Sequence, residues 1–279
     1  MARPAPMADV GLLGRAMADK RRMIWRAAML LAVLICSGQA QAGWRPSPRD
    51  LFDVQLTAPF QVARKADVLA MGAVETSPTR LQELQSRGVR LLCVINAGVW
   101  ENWRPDSGAF DRRLIGNTVS GWPGERWLDI RALAPLQPIL ARRLDLCRDK
   151  GFDGVLLRSL DGYQNSTGFP LSGKDQLAFN RWLAAESRAR GLAVGMMNTG
   201  DLVPELADDF DYAVSDTCLE HATCGDYLPF RRADKGVFLI EYTNLQRKMD
   251  ISCAAAVDLD MQVIFKTKSL NGKLHRRCP

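Results

Sequence analysis

The sequence predicts an α/β fold: a single (β/α)8 barrel over residues 43–279, preceded by a cleavable signal peptide over residues 1–42. Three observations predict it. A phrase made of a basic residue, a glycine and an apolar run recurs along the chain. Apolar runs alternate with helical stretches at roughly 30 residues per unit, enough for about eight strands. No glycine-rich phosphate fingerprint follows any run, which argues against an open nucleotide-binding sheet.

The phrase occurs as Arg87-Gly88 before residues 91–95 and as Lys150-Gly151 before 155–157. It returns as Arg190-Gly191 before 192–197 and as Lys235-Gly236 before 237–240. Glycine accepts the left-handed conformation that ends a helix, and a cation in the last turn suits the helix dipole. Unbroken apolar runs fit strands of a parallel sheet, buried on both faces. Further strands are predicted at 54–56, 67–71, 211–214 and 261–265. Between them, residues 135–150 place Leu136, Leu140, Leu144 and Cys147 on one helical face. Ser172 is the expected N-cap of a helix running to Arg190, with Leu177, Phe179, Trp182 and Leu183 inward.

At the N-terminus, Lys20, Arg21, Arg22 and Arg26 precede an apolar run over 27–35 and the small-x-small pattern Ala40-Gln41-Ala42. These are the parts of a secretory signal, with cleavage near Ala42 and a secreted or periplasmic destination. The run is about half of the roughly 20 residues a bilayer span needs, so no transmembrane anchor is expected. A lipidated Cys36 is disfavoured by the bulky Ile35 before it, and Met17 or Met23 could serve as the start.

Removing six Lys/Arg and two Asp with this segment leaves 31 bases and 29 acids, a net charge of +2 against +6 for the whole chain. The basic balance is a targeting feature and gives no support for nucleic-acid binding. Six cysteines remain, and in an oxidising compartment an even count favours disulfides. Cys218 with Cys224 and Cys253 with Cys278 are the plausible bridges. Cys93 and Cys147, inside a predicted strand and helix, read as buried free thiols. With only His221 and His275 present, neither zinc nor another metal is expected, nor any cofactor, and the chain reads as a monomer.

In a (β/α)8, or TIM, barrel the chemistry sits at the C-terminal ends of the strands. Those positions are Asn96, Arg158-Ser159, Asn198, Asp216, Glu241 and Lys266. Long loops lie beside them at 98–125, 161–172 and 216–232. The first carries Trp100-Glu101-Asn102-Trp103-Arg104-Pro105-Asp106 and then Gly121-Trp122-Pro123-Gly124-Glu125. Indole rings stack on the C–H faces of sugars while carboxylates and amides bind hydroxyls, so this composition points to carbohydrate. Asp129 and Arg131 are expected to pair and fix the loop.

Residues 93–98 (Cys-Val-Ile-Asn-Ala-Gly) with Trp100–Asp106 resemble the CYISAGxWExWRPD signature of glycoside hydrolase family 114, the endo-α-1,4-polygalactosaminidase-like barrels. The likeness runs through 121–125, 127–131, 150–155, Asp161-Gly162-Tyr163, 176–182, 191–195, Cys218…Cys224 and Glu241-Tyr242 to Lys266. It implies a TIM barrel acting on or binding an amino-sugar polysaccharide. The implied contacts are Trp100, Glu101, Arg104, Asp106, Asp161, Tyr163 and Asn198.

The departures fall on the expected catalytic positions. Where family members read GV(E/D)PDNxDGY, this chain has Leu156, Arg158 and Ser159, so Arg158 replaces the expected catalytic aspartate. The family's NEQC becomes Ser215-Asp216-Thr217-Cys218, which shortens the second acid to Asp216. Its KND becomes Met197-Asn198-Thr199, and its early acidic strand end becomes Ala70-Met71-Gly72.

Glycoside hydrolysis uses two carboxyls about 5–5.5 Å apart for retention or roughly 6.5–9.5 Å for inversion. Arginine stays protonated and only donates, so it fills neither role. Arg158 is expected to occupy the mouth and pair with Asp216 or Glu241, holding its partner ionised. Asp216 and Glu241 are the candidate catalytic acids, with Glu101 and Asp161 also available. Three readings follow: a hydrolase with a relocated acid pair, a non-catalytic carbohydrate-binding barrel, and a structural partner in an exopolysaccharide system.

Overall fold

The structure, a computed structural model, describes residues 43–58, 60, 61, 65–242 and 246–278. The expected signal peptide lies outside the described residues. Residues 44–279 form one compact unit.

Eight strands run parallel in one curled sheet: β1 (Phe52–Val54), β2 (Val68–Met71), β3 (Arg90–Asn96), β7 (Gly154–Arg158), β8 (Ala193–Met197), β9 (Tyr212–Asp216), β10 (Gly236–Glu241) and β11 (Gln262–Phe265). Each hydrogen-bonds to the next in that order, as in Asn96 opposite Arg158 and Ile240 opposite Asp216. The curl brings the first and last strands together. Leu56 N–H donates to Leu270 O at 2.8 Å, and buried Lys266 meets Asp53 Oδ1 at 2.8 Å. A short strand, β12 (Arg276–Arg277), runs antiparallel against β11.

Strand alternation divides the core in two. Leu92, Val94, Leu156, Tyr212, Val214, Phe238 and Ile240 point into the barrel. Leu91, Cys93, Ile95, Val155, Leu157 and Leu239 point outward to the helices. Gly195 leaves room for the Tyr212 ring, which a Cβ there would meet at 2.1 Å, and the Tyr212 hydroxyl donates to Val155 O at 2.7 Å.

The outer helices include Pro78–Ser86, Leu133–Asp149, Gly173–Ala189 and Gln246–Asp258. Leu136, Leu140, Leu144 and Cys147 are buried on one face of the second. Ser172 caps the third reciprocally with Asp175. Gly88, Gly151 and Gly191 carry the left-handed φ (79°, 83° and 73°) expected at helix ends. The fourth phrase differs: Asp234 takes the positive φ (52°), and Gly236 already lies in β10, where a Cβ would reach the Phe238 ring at 3.0 Å. Lys235 folds back onto Ala207 O and Phe210 O at 2.6 and 2.8 Å.

Two sequence expectations are corrected. The stretch 98–125, expected as a loop, contributes most of a three-stranded antiparallel sheet: β4 (Val99–Glu101), β6 (Trp122–Leu128) and β5 (Ile115–Val119), in that order. Strands of three to seven residues rich in Trp, Arg and Gly show no clean alternation, so they escape a periodicity reading. Cys93 and Cys147 are not free thiols but a disulfide, because the outward face of β3 packs on the inward face of helix Leu133–Asp149. Cys218–Cys224 and Cys253–Cys278 are also bridged.

Candidate active site at the barrel mouth

Strand parity sets which end residues face the barrel axis. Asn96, Arg158 and Asp216 each lie two positions beyond an inward core residue, Val94, Leu156 and Val214. On β10 the inward position after Ile240 is Tyr242, so Glu241 has the outward parity. Glu241 is 5% exposed, and its Oε1 accepts the Leu219 N–H at 2.9 Å, at the start of the short helix Cys218–His221. Burial raises its carboxyl above the usual value, and the Leu219 hydrogen bond opposes that.

A cleft of about 850 Å³ opens at this end. Asp216, Tyr242, Arg158, Glu125, Glu101, Arg104, Glu75, Glu220, His221 and Lys268 line it, together with Trp103 and Trp122. Five carboxylates face three Lys/Arg cations there. Trp103 and Trp122 are 54% and 52% exposed. Trp100 is half-buried, and its Nε1–H donates to Ser107 O at 3.0 Å.

Of the other sequence-nominated residues, Glu101 and Arg104 belong to the cleft wall. Arg104 Nε donates to Glu101 at 2.7 Å and its other arm to Glu75 at 2.8 Å. Asp106 lies behind that wall, forked by Arg143 at 2.7 and 2.9 Å. Asp161 opens the 3-10 turn Gly162–Gln164, and burial raises its carboxyl. The Tyr163 hydroxyl accepts from Gln164 at 2.9 Å. Asn198 Oδ1 accepts the Asp216 N–H at 3.0 Å and so anchors the end of β9. Asp129 and Arg131 pair through two bonds of 2.8 Å.

Sequence reasoning left Glu125 and Tyr242 out of the candidate site. Tyr242 donates to Asp216 Oδ2 at 3.2 Å. Glu125 stands opposite Glu101 in the β4–β6 ladder and accepts from Asn96 Nδ2 at 3.2 Å. Burial, then the Glu101 charge, raises the Glu125 carboxyl, while Arg158 and Asn96 pull the other way.

Arg158 lines the mouth as expected, but the expected pairing is corrected: it forms no salt bridge with Asp216 or Glu241. Asp216 is held by Tyr242, and Glu241 is turned to the Leu219 N–H by its parity. Across the cleft the Arg158 charge acts on the Glu125 carboxyl and the Tyr242 phenol, pulling both down against their burial.

The mouth is conformationally tight. Ser159, Asn198, Thr199 and Thr217, each just past a strand end, hold φ of 56°, 63°, 65° and 61°. Such backbone in non-glycine residues concentrates where side chains must be aimed. Gly98 packs on this rim, where a Cβ would lie 2.0 Å from Ser159 O.

The model of glycoside-hydrolase family GH114 matches residues 36–278. The chain belongs to GH114. Among solved structures, this GH114 chain is similar to Ega3 of Aspergillus fumigatus, whose crystal structure is a complex with galactosamine. The match has 29% identity and a TM-score of 0.81, covering 86% of this chain and 100% of that one. It also shares the fold of the glycoside hydrolase domain of PelA from Pseudomonas aeruginosa, at 15% identity and a TM-score of 0.62, covering 81% and 96%. No curated protein matches it at a significant level. Among the described residues no helix is long and apolar enough to cross a membrane.

Proposed function

We propose that this GH114 barrel is exported and binds an amino-sugar polysaccharide in the mouth cleft, with the family's hydrolytic reaction severely reduced. The observation that carries this reading is Arg158 at the end of β7, inside the cleft that also holds Asp216. The family resemblance puts an acid at that position, and a guanidinium can neither give nor take the proton. The remaining cleft suits an amino-sugar polymer, whose hydroxyl and N–H groups donate to carboxylates. Acidic side chains outnumber basic ones, and Trp103 and Trp122 offer exposed rings for stacking. The galactosamine bound by Ega3 is of this chemical class.

A second reading is favoured by one specific observation. Glu125 has a carboxyl raised by burial and shares the cleft with Asp216, which gives two carboxyl groups there, one of them biased towards holding its proton. The test is incubation with partially deacetylated galactosaminogalactan, following new reducing ends and bound polymer in parallel. Binding without turnover is the expected result. Turnover abolished by Glu125→Gln or Asp216→Asn would establish the second reading. Absence of both binding and turnover would overturn the carbohydrate assignment itself.

A further inference from the structure

A small cavity of about 40 Å³ shares its walls with the cleft at the ends of β2, β3 and β7. At roughly 10–15 Å³ for each water-sized group, it has room for about three to four heavy atoms. Its charged walls are largely self-satisfied, since Arg104 takes up both Glu101 and Glu75. Two polar groups are not. Asn96 is 5% exposed, its Nδ2 is committed to Glu125, and its Oδ1 is buried without a hydrogen-bond partner. The Arg158 guanidinium faces the same cavity and makes no hydrogen bond or ion pair with any described residue. Leu56 and Val94 supply apolar surface beside them.

A buried acceptor left open is costly unless a ligand donor fills it. One open acceptor, one open cationic donor and an apolar wall complement a secondary amide that ends in a methyl group. The amide N–H donates to Asn96 Oδ1, the carbonyl accepts from Arg158, and the methyl rests on Leu56 and Val94. A free ammonium fits poorly, because it would set a second cation beside Arg158 and leave the guanidinium without an acceptor. We infer that this cavity is an acetamido subsite, and that the chain selects N-acetylated units of its amino-sugar polymer. The inference rests on the proposed carbohydrate reading and deepens it. Replacing an acid by Arg158 exchanges proton transfer for recognition of a neutral amide.

The test is calorimetric titration of the protein with α-1,4-linked tetrasaccharides of N-acetylgalactosamine and of galactosamine. The acetylated tetramer is expected to bind at least about tenfold more tightly. Arg158→Met, at a partly exposed position, should reduce that preference to within about twofold, and Asn96→Leu should do the same if it folds. Equal affinities, as for a cavity holding only water, would overturn the acetamido assignment. So would tighter binding of the free amine, or a preference unchanged in Arg158→Met; in all three cases carbohydrate binding itself survives. No binding of either tetramer would remove both the assignment and the reading beneath it.

Discussion

The Tyr242 hydroxyl donates to Asp216 Oδ2 at 3.2 Å, joining the ends of two neighbouring strands across the floor of the cleft. Burial, with the adjacent Asp216 charge, pushes the phenol above its ordinary value, so it stays a donor at any working pH. Tyr242→Phe removes this bond while keeping the ring. Oligosaccharide affinity is expected to fall about fivefold, equivalent to about 1 kcal/mol, with little change in melting temperature. Unchanged affinity in calorimetry would show that Asp216 needs no such orientation.

That Tyr242 rather than Glu241 takes the inward parity was legible in the sequence, by counting along the strand rather than by motif. Counting two from Phe238 and Ile240 leads to Tyr242 on the inward face, and the same count leads from Leu156 to Arg158. The eight strands were equally readable, because buried parallel strands are unbroken apolar runs; β1 starts two residues from its expected position and the other seven within one. Glu125 was not readable in this way. Its position depends on the pairing of β4 with β6, and register between irregular strands is a non-local property. The Cys93–Cys147 bridge was hidden for a related reason, since 54 residues separate its partners and only the packing of helix on strand joins them.

Glu241 supplies a pH-dependent prediction. A carboxyl raised above its ordinary 4.5 holds its proton more tightly in the folded than in the unfolded chain. Its contribution to stability is complete below that pH and is lost as the pH rises through the folded value. Glu241→Gln cannot ionise and can still accept the Leu219 N–H. Its melting temperature should therefore gain on the wild type as the pH is raised from about 4 to about 7. A difference that stays constant across that range would contradict the assignment.

The Cys93–Cys147 bridge ties the barrel wall to helix Leu133–Asp149 across 54 residues. Cys147→Ser should lower unfolding free energy by about 2–4 kcal/mol, read from a shifted urea midpoint. Peptide mapping of the unreduced wild type should recover Cys93 and Cys147 as one linked pair. Alkylation of both thiols in the native chain would refute the pairing.

Gly98 tests how tightly the rim is built. A methyl group there meets the Ser159 carbonyl, which follows Arg158 directly and cannot move without shifting the end of β7. Gly98→Ala is expected to destabilise by about 1–3 kcal/mol and to weaken oligosaccharide binding as well. A stability loss with wild-type affinity would show that the rim relaxes without disturbing Arg158.

The strongest test of the lost reaction is its restoration. If Arg158 and the shortened Asp216 together silence hydrolysis, returning both family acids should return the reaction, because the rest of the mouth is assembled. Tyr242 still reaches toward position 216, Asn198 still holds its backbone, and the tryptophan rim is open. Arg158→Asp combined with Asp216→Glu is therefore expected to release reducing ends at least about 100-fold faster than wild type. Either change alone should recover far less, since the two carboxyls act as a unit. If the double variant folds, binds polymer and still releases nothing, the block lies elsewhere in the cleft. The cavity around Asn96 would then be the first place to look, because it shares its walls with the cleft and holds a buried acceptor without a partner.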